Sequence, residues 1–210
     1  MKIEREFDYN ESLIPERREY EMSLEQFKEK LMILNELVYF DENAYLREKA
    51  RDFREVNVLI QEAEKYLAYD QMEERYFLNG VLGNLYRITE QPKQAIIYLT
   101  RCLDQAVEEQ HVIRESITLI RLGEAYKYDE QHEIALKLFN KVLEKCRLNE
   151  VNDYIDFAYQ HKGKCLMEIG KYDEAEKCFL EALHIRKLKH DGALIDSTEQ
   201  ALQFLKKIRR

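Results

Sequence analysis

Proline and glycine are scarce, with two and six in 210 residues. So few breakers leave room for long helices joined by short connectors, and no part of the chain requires a strand. The four cysteines, Cys102, Cys146, Cys165 and Cys178, form no C-x-x-C pair. Each falls inside a helical pattern, so they read as small core residues in a reducing compartment. The five histidines, His111, His132, His161, His184 and His190, are scattered, with no H-E-x-x-H and no pair at four-residue spacing. That removes the common zinc patterns, and G-x-S-x-G and phosphate-cradling glycine loops are absent as well. No metal, no cofactor and no enzymatic activity are expected. No stretch approaches the roughly 18 consecutive apolar residues of a membrane span. The opening MKIEREFDYN is charged and lacks a signal-like apolar run, so the expected location is cytoplasmic. A formal charge of −8 opposes a nucleic-acid footprint, because phosphate would be repelled over most of the surface.

What the chain does have is a threefold echo. Gly83, Gly123 and Gly163 recur every 40 residues, each followed twelve residues later by Ala95, Ala135 or Ala175. Around them return Leu82, Tyr86 and Leu99, then Leu122, Tyr126 and Phe139, then Leu166, Phe179 and Ala182. Repeats of this length mark solenoids, whose stacked units share one continuous core. Apolar spacing predicts helices over about 71 to 89, 93 to 109, 112 to 128, 131 to 148, 151 to 169, 172 to 189 and 192 to 208. The short breaks between them, such as Thr89-Glu90-Gln91-Pro92 and Asp191-Gly192, make successive helices antiparallel hairpins. A helix-interior glycine costs about 0.5 to 1 kcal/mol against alanine, so its return in each unit points to close approach of a neighbouring backbone.

The first third does not carry the echo. Residues 1–22 read as an extended or loosely docked arm. Residues 23–70 read as less regular helices, either a degenerate repeat or a separate cap. A capping box at Ser23-Leu24-Glu25-Gln26 opens a helix to about residue 39; Asp41 caps a second segment to about Ala50; a third runs from Phe53 to about 68. Residues 71–190 then hold three units, and 191–210 form a capping helix ending in Lys206, Lys207, Arg209 and Arg210. Those cations suit a helix carboxyl end, or a docking tail for an acidic partner.

Leu82-Gly83-x-x-Tyr86 with Ala95, Leu122-Gly123-x-x-Tyr126 with Ala135 and Phe139, and Gly163 with Gly170-x-Tyr172-x-x-Ala175-x-x-x-Phe179-x-x-Ala182 resemble the tetratricopeptide repeat. The period departs from the family's, being 40 rather than 34. The bulky aromatic that often starts the motif survives only as Tyr159, with Asn79 and Leu119 in the other units. Helix length is also loosely similar to the peptide-pheromone receptors of Gram-positive bacteria. The resemblance implies an all-α, right-handed superhelical solenoid of antiparallel helix hairpins, whose first helices line a concave groove for a peptide or a protein segment. By register the groove positions are Phe77, Gly80, Asn84 and Arg87; Ile117, Ile120, Glu124 and Lys127; Phe157, Gln160, Lys164 and Met167, with Arg121 and His161 one residue further along the same face. Asn84 and Gln160 can bond a peptide backbone, while Arg87, Lys127 and Lys164 can attract acidic groups. The same side chains also suit a merely solvated helical face. The expected function is thus a non-catalytic protein- or peptide-binding scaffold. The alternative is a peptide-sensing signalling regulator whose amino-terminal helices act on a partner protein. Self-association into a homo-oligomer is a further expectation.

Overall fold

A computed structural model describes residues 23–69 and 74–209. The expected arm over 1–22 and the expected helix start at 71 fall outside these residues. The elements, in chain order, are α1 (Leu24–Met32), β1 (Val38–Asp41), β2 (Arg47–Ala50), α2 (Phe53–Tyr69), α3 (Arg75–Ile88), α4 (Pro92–Glu108), α5 (Val112–Tyr128), α6 (His132–Leu148), α7 (Ile155–Glu168), α8 (Tyr172–Lys189) and α9 (Gly192–Ile208). Helices α3 to α9 stack as antiparallel neighbours in a solenoid, with α2 packed on α3 at one end and α9 on α8 at the other.

The glycine echo is explained, although not by backbone contact as the sequence suggests. A Cβ on Gly83 would lie 2.5 Å from Leu99 Cγ; on Gly123, 2.6 Å from Phe139 Cε1; on Gly163, 2.7 Å from Phe179 Cε1. The glycine is therefore a socket for a side chain sixteen residues further on. Leu99 is 1% exposed, while Phe139 and Phe179 are wholly buried. The paired alanines, Ala95, Ala135 and Ala175, are also fully buried where the second helix crosses the first.

Each corner carries a residue in the left-handed region. Glu90, Gln110, Glu130, Glu150, Gly170 and His190 have φ between 52° and 75°, one every 20 residues. At Gln110 the chain shows how a corner closes: its amide bonds Val107 O at 3.0 Å and the next amide, His111, bonds Ala106 O at 2.9 Å. The helix's last carbonyls are thereby satisfied before the chain turns.

The segment from 38 to 50 corrects the expectation of a helix there. The capping box forms as expected, with Ser23 N donating to Gln26 Oε1 at 2.8 Å and Gln26 N to Ser23 Oγ at 3.2 Å. Helix α1 then stops at Met32, a 3-10 turn covers Ile33–Leu37, and β1 pairs antiparallel with β2, Val38 opposite Ala50 and Asp41 opposite Arg47. Asp41 does cap, but it caps a 3-10 turn, Glu42–Ala44, by accepting from Asn43 N at 2.9 Å. Local propensity in Tyr45-Leu46-Arg47-Glu48-Lys49-Ala50 favours a helix. Tertiary contacts override it, because the turn at Leu46 and the strand from Arg47 carry Leu46 and Glu48 to separate receptors on the solenoid.

Candidate functional site

The concave face is lined by α3, α5 and α7. Helices α5 and α7 are buried on nearly all sides, including polar positions such as Glu124, Lys127, Gln160 and Lys164. The reason is the hairpin β1–β2, which covers the carboxyl-terminal half of this face.

Under the hairpin lies a network of charges. Arg47 of β2 is gripped by Glu168, at 3.0 Å from Nε and 2.6 Å from Nη2, and also reaches Glu130 Oε1 at 2.8 Å and donates to Lys127 O at 3.1 Å. The Glu48 carboxylate pairs with Arg87, which donates to Tyr128 Oη at 2.8 Å and to Asn84 Oδ1 at 2.8 Å. Lys127 donates to Glu124 Oε1 at 2.9 Å, and His161 Nδ1 lies 2.9 Å from the same oxygen. Burial works to raise the Glu124 carboxyl, yet His161 beside it and the cations of Lys127 and Arg87 hold it well below the usual range. Glu168 follows the same balance, with burial outweighed by Lys127 and Arg47. His161 goes the other way, its burial outweighing Glu124 and lowering its affinity for a proton. For Lys164 the nearby carboxylates of Glu124 and Glu48 fall short of compensating. Burial, helped by Lys127, pushes its ammonium down to about 8. The ammonium lies over the Phe40 ring at 4.7 Å and reaches the Leu46 carbonyl at 3.4 Å.

The amino-terminal half of the face is open. Two cavities of about 400 and 470 Å³ share Leu34, Asn84 and Arg121 as walls. The first is also lined by Leu31, Phe77, Gly80 and Ile117, the second by Ile120, Phe157 and His161. Arg121 is exposed and makes no ion pair among the described residues.

The groove residues expected from the sequence thus divide, with Gly80 in the first cavity wall and Met167 wholly buried. Phe77, Asn84, Ile117, Ile120, Arg121, Phe157 and His161 line the open cavities. Arg87 and Glu124 stand at the boundary, both in the second cavity wall and in the network. Lys127 is fully buried and Lys164 is 7% exposed, so neither is free to meet a ligand in this state. Gln160 is 3% exposed and both its amide atoms lack a partner. Sequence reasoning missed Leu46, Arg47, Glu48, Tyr128 and Glu168. A signal existed in Val38-Tyr39-Phe40, three successive β-formers before the polar Asp41-Glu42-Asn43.

At the carboxyl end, Lys207 and Arg209 find partners within the chain. Lys207 pairs with Glu42 in the hairpin turn at 2.6 Å, and Arg209 bonds Asp173 and, at 3.0 Å, Glu176. Among the described residues no group of His, Cys, Asp and Glu could hold a metal ion, and no helix is long and apolar enough to cross a membrane.

Residues 78–106 and 158–187 match the tetratricopeptide repeat. No curated protein sequence matches the chain significantly. Among solved structures, the apo form of RapI is similar with a TM-score of 0.60 and 19% identity, covering 74% of this chain and 45% of that one. Rap protein complexed with competence and sporulation factor gives 0.59 and 23%, covering 72% and 42%. The tetratricopeptide domain of Arabidopsis FLU gives 0.51 and 18%, covering 57% and 98%. The chain spans less than half the length of the two Rap chains. Two segments thus match the tetratricopeptide repeat, and the described residues form a helical solenoid similar in fold to the Rap chains.

Proposed function

We propose that the chain is a non-catalytic scaffold that binds an extended, acidic and apolar segment of a protein in the open half of its concave face. One observation carries this reading: Arg121, a cation without an ion-pair partner among the described residues, stands between apolar walls from α1, α3, α5 and α7. An unpaired guanidinium prefers a carboxylate, and the surrounding Phe77, Ile117, Ile120 and Phe157 suit apolar side chains on either side of it. Asn84 accepts from Arg87, so its amide nitrogen faces the task of donating to a ligand carbonyl. Arg87, Lys127 and Lys164 are poor probes of binding, since each already serves the internal network.

The test is an array of acidic and apolar peptides probed with the wild-type protein and with Arg121→Glu. Loss of at least tenfold in affinity, with helicity unchanged, is expected for the peptides that bind. Equal binding by both proteins would remove the site. A second reading draws on the fold shared with Rap protein, which is solved with competence and sporulation factor. On that reading the bound segment is a signalling peptide, and the residues before α3 act on a further protein.

A further inference from the structure

The solenoid holds its own hairpin in the way a groove holds a ligand. The hairpin's main chain is read by groove side chains: the Tyr128 hydroxyl accepts from the Glu48 amide at 2.6 Å and donates to the Glu48 carbonyl at 3.2 Å. Its side chains are sorted by chemistry. Leu46, 3% exposed, enters an apolar slot with Leu166, Met167, Phe204 and Leu205, and Glu48, two residues on, meets the Arg87 guanidinium. Contacts of this type, backbone bonds plus alternate side-chain pockets, are how extended segments are recognised in trans.

The occupant is weakly built for itself. Each strand has four residues, and an isolated two-stranded hairpin is marginal in water. Tyr39, Phe40 and Tyr45 remain more than a third exposed. Tyr45 and Leu46 adopt φ of 54° and 61° in succession, an arrangement unfavourable for non-glycine residues. The fit is also imperfect: no carboxylate of the described residues lies within ion-pair distance of Lys164, which has only a carbonyl and the Phe40 ring. An occupant with an acidic group at that point would match the seat better than the hairpin does.

We infer that residues 38–50 are a tethered occupant of the carboxyl-terminal half of the concave face, exchangeable with a segment of a partner protein that carries an apolar residue, a basic residue and a carboxylate in succession, as Leu46, Arg47 and Glu48 do. This extends the reading of the concave face as a protein-binding surface and rests on it. The hairpin then sets a threshold: a partner binds this half only by replacing Leu46 in its slot, Arg47 on Glu168 and Glu48 on Arg87.

Amide hydrogen exchange on the full chain tests the exchangeability. Amides of residues 38–50 should exchange at least tenfold faster than those of α5 and α7; equal protection overturns the inference. The chemistry is tested with a fluorescein-labelled peptide of residues 36–52 as the probe, titrated into wild type and into the full chain carrying Leu46→Asp. Binding at least tenfold tighter to the variant is expected, together with loss of binding when the probe itself carries Glu48→Lys. Equal binding to both proteins, or undiminished binding of the altered probe, overturns it. If the variant loses helicity, the exchange measurement on wild type still decides. A hairpin exchanged between two copies, seen as a dimer by light scattering, would make a second copy the occupant and overturn the partner. Arg121→Glu reports on the other half of the face, so loss of binding there without hairpin exchange overturns only this inference.

Discussion

At the scale of single residues, the glycines explain most of the repeat. In Gly123 the missing Cβ is filled by the edge of the Phe139 ring, whose Cε1, Cζ and Cδ1 would lie 2.6, 2.9 and 3.0 Å from an added methyl. Helix propensity alone would make Gly123→Ala stabilising by up to about 1 kcal/mol. The collision reverses the sign, and overpacking of this kind costs about 1 to 3 kcal/mol. Urea denaturation should show Gly123→Ala less stable than wild type, with Phe139→Leu recovering part of the loss when combined with it. Simple additivity of the two losses would contradict the socket. This feature is legible in sequence as a recurrence, since glycine and its filler sit at fixed spacing. Its physical cause is not legible, because spacing does not reveal whether a backbone or a ring fills the gap.

At the scale of elements, the corners are the informative part. Six of them place a left-handed residue every 20 positions, yet only Gly170 is a glycine. Glu90 and Glu130 have an evident reason to stay as they are, because they pair with Lys49 and Arg47 of the hairpin. Gln110 has no such partner in the hairpin, and its backbone alone needs the left-handed state. Gln110→Gly should therefore raise stability by about 1 kcal/mol, measured by thermal or urea denaturation. A decrease would mean that the corner is stabilised by the glutamine side chain. The helix boundaries from α4 to α9 follow closely from apolar periodicity and these breaks, except that α7 begins at Ile155 rather than near 151. The hairpin does not, since its four-residue strands carry charged residues with helical propensity and are selected by receptors far away in sequence, Arg87, Tyr128 and Glu168.

At the scale of the whole molecule, the charge network joins the hairpin to α3, α5 and α7, and it gives stability a pH dependence. Lys164 titrates near 8 when folded and at about 10.4 when unfolded, so between these values the unfolded chain binds more protons. Stability contributed through this group therefore rises as pH increases through that window, and below about 8 the buried ammonium opposes folding. Its neighbours Lys127, Glu124, Glu48 and Arg87 all titrate outside the range, their pKa values being raised or lowered away from it. Lys164→Met should be more stable than wild type at pH 7 by on the order of 2 kcal/mol, and the gap should narrow by pH 9.5. A gap independent of pH would show that the gain comes from packing alone. None of this was visible in register positions, which identify the inward-facing side of a helix but not what covers it.

A stack of helix pairs is a spring, since each unit can tilt slightly on the next and the tilts add along the axis. The hairpin is fastened to α3 through Arg87, to α5 through Tyr128, to α7 through Glu168, and to α9 through Glu42 and Lys207. Four fastenings along one side turn the spring into a braced arch of fixed pitch. Solenoids ordinarily lengthen by duplicating a unit in the middle, but an inserted pair of helices here would separate the attachment points beyond the reach of two four-residue strands. The brace thus fixes the number of units between its attachment points, and releasing it would let the arch flex.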